Sequence, residues 1–127
     1  MTEPRTMLIC DDEEELAHEL GEYFTSAGWE VEVCIAAAAA IDRLQRFPAP
    51  QVLITDLRIG PVDGREVVAA ARALPKDGPP PMIVIITGHV MNSAVAADFD
   101  SDTLCVKPID PEELSAAIES FLRLPPT

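Results

Sequence analysis

Five short segments that read as strands alternate along this chain with segments of helical pattern, and this alternation constrains the fold more than any other feature. Three of the five, residues 6–10, 52–55 and 82–86, are short apolar runs like those of buried strands, whereas residues 30–33 alternate with period two like an edge strand. The five segments are residues 6–10, 30–33, 52–55, 82–86 and 103–106. Five β-then-α units in succession predict an α/β fold, in which a parallel sheet with right-handed crossovers carries helices on both faces.

The segments between the strands place apolar residues at helical spacing. The first helix is predicted to begin at Glu14 and to end at Gly28, and the last to begin with Asp110 as N-cap residue and Pro111 in its first turn. The second helix covers residues 36–44, and the third contains Val67, Val68, Ala71 and Leu74. Residues 91–99 have only modest helical patterning and predict a short helix. Residues 60–64, rich in glycine and proline, are predicted to form a loop.

The size and charge of the chain restrict the classes of function. A length of 127 residues fits one domain, with residues 6–124 folded and residues 1–5 and 125–127 as tails. No apolar stretch reaches the roughly 20 residues that a membrane-spanning helix needs, and the first residues lack a secretory signal, so we expect a cytoplasmic protein. A net charge of −13 opposes direct binding to nucleic acids and to anionic membranes.

Polar residues follow the ends of four predicted strands. Asp11 and Asp12 follow the first strand, Asp56 the third, Thr87 the fourth and Lys107 the fifth. In parallel α/β sheets the binding site lies beyond the carboxyl ends of the strands, where the strand order reverses. We therefore expect these side chains to meet at one edge of the sheet.

Three carboxylates at one edge raise one another's pKa unless a cation shares the site. Oxygen ligands select a hard divalent ion, and Mg²⁺ typically takes one or two carboxylates and leaves a place for a phosphate oxygen. Lys107 and Thr87 suit such a phosphate, and a central carboxylate can act as the nucleophile in phosphoryl transfer. Taken singly, each residue is better interpreted as a cap, turn or ion-pair residue, but together they favour a phosphoryl-transfer site with Mg²⁺ as cofactor.

Four short motifs in this order resemble the receiver domain of two-component response regulators. They are residues 7–13, residues 56–58 with the later Asp63-Gly64, residues 87–89, and Lys107-Pro108. The resemblance covers nearly the whole chain. It implies a flavodoxin-like fold similar to that of chemotaxis receivers, a single doubly wound domain whose five parallel strands have the order 2-1-3-4-5.

The resemblance also implies roles for the residues at the strand ends. Asp56 would be the phosphoacceptor, and Thr87 and Lys107 would bind the phosphoryl group. Asp11 and Asp12 would hold Mg²⁺ together with Asp56 and the backbone carbonyl of Arg58. Two further residues are expected to have structural roles: Gly64 at a helix start, and Pro108 in a cis-prone bond that aims the lysine.

Three positions modify this expectation. Arg58 and His89, two residues after Asp56 and Thr87, would flank the phosphoryl group, and we hypothesise that they slow its hydrolysis; the alternative is two exposed side chains without a kinetic role. Leu104 stands three residues before Lys107, where the family usually has Tyr or Phe that moves together with the threonine. Leucine offers neither a ring to bury nor a hydroxyl to expose, so we expect altered output through this switch position.

The sequence therefore predicts a phosphoprotein of two-component signal transduction. It would take phosphate from a histidine kinase or a histidine phosphotransfer protein and signal through a protein partner, with monomer as the default state. It would catalyse only its own phosphorylation and slow dephosphorylation, because a true phosphatase on a similar sheet needs a second acid where Arg58 stands. The alternative is a phosphorylation-independent interaction module with the same fold.

Overall fold

A computed structural model describes residues 5–46, 49–56, 58–59, 62–73, 80–88 and 102–122 of the chain. In chain order the elements are β1 (Thr6–Cys10), α1 (Glu14–Ser26), β2 (Glu30–Cys34), α2 (Ala37–Leu44), β3 (Val52–Asp56), β4 (Arg58–Ile59), β5 (Val62–Asp63), α3 (Gly64–Arg72), β6 (Met82–Thr87), β7 (Thr103–Val106) and α4 (Pro111–Leu122). No helix in this part of the chain combines the length and the apolar character needed to cross a membrane.

The main sheet has five parallel strands in the order β2-β1-β3-β6-β7. Counting only the strands of this sheet, the order is 2-1-3-4-5, so the predicted topology is confirmed. The strand order reverses between β1 and β3, which are neighbours with Cys10 opposite Thr55. The carboxyl ends of β1 and β3 therefore meet at the position where parallel α/β sheets form binding sites.

Two apolar cores lie on opposite faces of the sheet, because successive side chains of a strand point in opposite directions. In β1, Met7 and Ile9 pack with residues of α1 and α4, whereas Leu8 and Cys10 pack with residues of α2 and α3. The strand β3 alternates in the same way, and all five of its residues are buried. The prediction of helices on both faces is confirmed.

The structure adds a small hairpin where the sequence predicted only a loop. In it β4 and β5 pair antiparallel, with Arg58 opposite Asp63 and Ile59 opposite Val62. Two residues per strand are too few to show the period-two alternation by which strands are recognised, so the sequence pattern could not reveal this pair. The predicted helix in residues 91–99 lies outside the described residues.

The helix ends follow the predicted local chemistry. Gly28, two residues after α1, has a φ of 97°, which is the left-handed region that glycine adopts without steric cost. At the start of α4, the Asp110 carboxylate accepts a hydrogen bond of 2.9 Å from the Glu112 N–H, and Pro111 occupies the first helical position. Asp110 is therefore the N-cap residue that the sequence predicted.

Candidate phosphoryl-transfer site

The polar residues predicted at the strand ends lie at one edge of the main sheet. Asp11 follows β1, Asp56 is the last residue of β3, Thr87 the last of β6, and Lys107 follows β7. The strands are parallel and adjacent, so these four residues leave the sheet in the same direction. The Lys107 N–H also donates a hydrogen bond of 2.7 Å to the Thr87 carbonyl, which joins the ends of β6 and β7.

Three carboxylates form a cluster at this edge. One oxygen from each of Asp11, Asp12 and Asp56 lies within 4.8 Å of the others. Asp11 is fully buried and Asp56 is 8% exposed, whereas Asp12 is exposed. The cluster thus extends from the interior of the domain at Asp11 to its surface at Asp12.

Asp11 has one satisfied and one unsatisfied oxygen. Its Oδ1 accepts a hydrogen bond of 2.9 Å from the Glu13 N–H, but its buried Oδ2 has no aligned hydrogen-bond donor. Burial raises the pKa of Asp11 to about 6, assisted by the charge of Asp56 and opposed by the Glu13 N–H and by Lys107. A buried carboxylate oxygen with spare capacity, in a group of oxygen donors only, fits a hard divalent cation such as Mg²⁺.

Lys107 supplies a positive charge to the site. Its Nζ donates hydrogen bonds of 2.8 Å to Glu13 Oε1 and 3.1 Å to Asp56 Oδ2, and it lies 3.3 Å from Asp11 Oδ2 in an ion pair. Burial lowers the pKa of Lys107, but the hydrogen bonds to Glu13 and Asp56 and the charges of Asp11 and Asp56 outweigh burial, so this pKa lies above its ordinary value. The ammonium group is therefore charged at neutral pH. The Lys107–Pro108 peptide bond is cis.

The remaining predicted residues take different positions. Thr87 is buried at the end of β6. Gly64 is the first residue of α3. Arg58 lies two residues beyond the end of β3, and its backbone pairs with that of Asp63 in the small hairpin. Leu104 lies inside β7 opposite Ile85 and packs half-buried against the core between the sheet and the helices α2 and α3.

Two predictions could not be compared with the structure, and one contact was missed. The side chain of Arg58 and the whole of His89 lie outside the described residues. Glu13 was assigned no role from the sequence, yet it makes the shortest contact to Lys107. The only sequence signal for it was its place as third acid of the run after β1, and that run does not indicate which way each side chain turns.

Comparison with known proteins agrees with this geometry. The family model of the response regulator receiver domain matches residues 7–119. The transcriptional regulatory protein PrrA of Mycobacterium tuberculosis is 30% identical over 124 residues, which are 97% of this chain and 52% of that protein. The chain thus spans about half the length of this curated relative.

Two solved structures are also similar. A response regulator receiver protein from Sinorhizobium medicae has 31% identity and a TM-score of 0.80, with 95% of this chain and 96% of that chain covered. The receiver domain of the sensor histidine kinase PA1611 from Pseudomonas aeruginosa, solved with a magnesium ion in its active site cleft, shares the fold with a TM-score of 0.81 at 16% identity, covering 95% and 99% of the two chains. The chain belongs to the response regulator receiver domain family of two-component signalling.

Proposed function

We propose that Asp56 is the phosphoacceptor of this receiver and that Lys107 and Thr87 bind the phosphoryl group. The observation that carries the proposal is the position of the Asp56 carboxylate. It lies at the end of the central strand β3, within hydrogen-bond distance of Lys107 Nζ, and in one cluster with Asp11 and Asp12. A nucleophilic carboxylate, a fixed cation and an oxygen-only cluster together suit phosphoryl transfer.

Apart from the nucleophile Asp56, the reaction mainly needs positioning and neutralisation of charge. An Asp56 oxygen attacks the phosphorus of a phosphohistidine or of a small acyl phosphate, the P–O bond to Asp56 forms, and the bond to the leaving group breaks. The transition state is loose and spreads negative charge over the phosphoryl oxygens. Lys107 is charged and only 15% exposed in its side chain, so it stabilises that charge more strongly than an exposed lysine does.

Magnesium fits the acidic cluster. Asp11, Asp12 and Asp56 would hold the ion together with the backbone carbonyl of Arg58, and when bound it neutralises charge on the transferring group. The magnesium ion in the receiver domain of the kinase PA1611 supports this assignment. Arg58 and His89 remain our candidates for residues that set the lifetime of the acyl phosphate, because they follow Asp56 and Thr87 by two positions.

The donor of the phosphoryl group is proposed to be a histidine kinase or a histidine phosphotransfer protein, with a cytoplasmic site of action. The receiver would pass the signal to a protein, since a net charge of −13 opposes contact with a nucleic-acid backbone. PrrA is a transcriptional regulatory protein about twice as long as the part that this chain matches. We therefore describe the downstream partner only as a protein, without naming which one.

Amide NMR with Mg²⁺ and beryllofluoride, which mimics the phosphoryl group, tests the proposal. We expect shifts at the ends of β1, β3, β6 and β7 that spread toward Leu104 in the parent protein and are absent in Asp56→Asn. Asp42→Asn is a matched control, because Asp42 is an exposed residue of α2 and its variant should respond like the parent. An equal response in Asp56→Asn would contradict the proposal, and no response in the parent would favour the phosphorylation-independent module.

A further inference from the structure

Glu13 is the solvent-facing partner of Lys107. An ammonium group has three donors, and Lys107 Nζ faces three carboxylates: Glu13 at 2.8 Å, Asp56 at 3.1 Å and Asp11 at 3.3 Å. The Asp11 and Asp56 side chains are 0% and 11% exposed, whereas the Glu13 side chain is 62% exposed. The shortest of the three contacts is therefore also the one that lies toward solvent, the side from which a phosphodonor arrives.

The backbone position of Glu13 does not explain its side-chain contact. Glu13 is the N-cap residue of α1, with φ −78° and ψ 91°, but its side chain makes no capping hydrogen bond. N-cap positions favour Ser, Thr, Asp and Asn, whose short side chains reach the free N–H groups of the first turn. The longer Glu13 side chain instead reaches Lys107 at the end of β7, 94 residues later in the chain.

Glu13 is also separate from the carboxylates that suit a metal ion. Among the described residues, the group that could hold a cation consists of Asp11, Asp12 and Asp56. A cation in that group would draw on the oxygens of Asp11 and Asp56, which leaves Glu13 as the carboxylate that still faces Lys107. A phosphoryl group on Asp56 needs the same ammonium donors, since Lys107 already reaches an Asp56 oxygen.

We propose that Glu13 competes with the phosphoryl group for Lys107 and thereby slows the phosphorylation of Asp56. This inference rests on the proposed function of the site. The Glu13 carboxylate stabilises the unphosphorylated arrangement, and the incoming phosphoryl group must displace it before Lys107 can neutralise the charge of the transition state. Removal of the Glu13 charge should therefore speed the reaction, because a neutral side chain accepts a weaker hydrogen bond from Lys107 and is displaced more easily.

Glu13→Gln and Glu15→Gln form a matched pair of variants. Both remove one exposed negative charge at the start of α1, but the Glu15 side chain makes no hydrogen bond or ion pair within the described part of the chain. With Mg²⁺ and acetyl phosphate, we expect the initial phosphorylation rate of Glu13→Gln to rise about threefold, and that of Glu15→Gln to stay within about 1.5-fold of the parent. The comparison separates the contact with Lys107 from the general attraction of an anionic donor to a less negative protein.

A second readout uses the metal-free protein. The ¹⁵N NMR signal of the Lys107 ammonium group, assigned by its loss in Lys107→Arg, should move in Glu13→Gln and stay unchanged in Glu15→Gln. An unchanged signal in Glu13→Gln would overturn the proposal, and so would a Glu13→Gln rate equal to or below that of Glu15→Gln. Failure of the proposed function looks different, because then the parent and both variants take up no phosphoryl group at all.

Discussion

Asp11 is a buried carboxylate whose ionised form is unfavourable in the fold. It is fully buried, its Oδ2 lacks an aligned donor, and burial together with the charge of Asp56 raises its pKa to about 6. The ionised form of Asp11 therefore weakens the fold, as buried charges at binding sites commonly do.

The pH dependence of stability follows from this shift. The native protein binds the Asp11 proton more tightly than the unfolded chain, in which the pKa of Asp11 has its ordinary value of 3.8. The stability contribution of the protonated form is therefore fully present below pH 3.8 and is lost as the pH rises through about 6. In the presence of a chelator, Asp11→Asn should exceed the parent by about 2 kcal/mol in free energy of unfolding at pH 7.5.

Urea unfolding of parent and Asp11→Asn between pH 4 and pH 8 measures this difference, which should shrink toward zero at the acidic end. Asp42→Asn serves as the control, because its carboxylate is exposed and its difference from the parent should stay small throughout. A parent that is more stable than Asp11→Asn at pH 7.5 would contradict the account of the buried charge.

Asp12 should matter for the metal ion and little for the fold. It is the exposed member of the cluster, so Asp12→Asn should change the free energy of unfolding by less than about 0.5 kcal/mol without divalent ions. Mg²⁺ bound to the native cluster stabilises the native state, so it should raise the free energy of unfolding of the parent. Asp12→Asn should need at least about tenfold more Mg²⁺ for the same increase. Thermal unfolding across a Mg²⁺ titration gives both numbers, and equal titrations would remove Asp12 from the metal site.

At the scale of elements, the sequence predicted the main sheet closely because most of its strands are short apolar runs followed by a polar residue, and β2 alternates like an edge strand. The structure places β1 and β7 at the predicted residues and extends β2, β3 and β6 by one residue each. The hairpin of β4 and β5 was missed because two-residue strands carry no periodicity. Apolar runs reveal strands, whereas short pairings depend on contacts that no local pattern records.

The site was predicted in its composition but not in its contacts. Parallel strands with polar ends imply that Asp11, Asp56 and Lys107 meet, and the structure brings them together. The contact between Glu13 and Lys107 depends on the direction of one long side chain at the start of α1, which residue type and spacing leave open. For Leu104, the sequence indicated a departure from the family, and the structure adds that its side chain is half-buried against a core.

The turn after α1 offers a prediction about an element boundary. Gly28 has a φ of 97°, and a Cβ added there would meet nothing within 4 Å, so the cost of a side chain comes from the backbone alone. Gly28→Ala should lower the free energy of unfolding by about 1 kcal/mol, and Gly28→Asn by less, because Asn tolerates left-handed backbone better. Urea unfolding of both variants checks this order, and an Ala variant as stable as the parent would show that the turn adopts another conformation.

The whole molecule has a large excess of acidic over basic residues. With a net charge of −13, repulsion among exposed acids should oppose the compact state at low ionic strength. Raising NaCl from about 0.05 to 0.5 M in the presence of a chelator should therefore increase the melting temperature by about 4 °C, through screening alone. Asp12→Asn should show the same response, because screening does not need the metal site. A melting temperature that falls with salt would mean that attractive ion pairs dominate.

Phosphorylation of one named residue is the central claim for the molecule as a whole, and it can be located directly. The protein is incubated with Mg²⁺ and acetyl phosphate, the acyl phosphate is reduced with borohydride, and the aspartate that carried it is found as homoserine by peptide mass spectrometry. We predict homoserine at position 56 in the parent, and none in Asp56→Asn. Homoserine at another aspartate, or equal labelling in Asp56→Asn, would contradict the account.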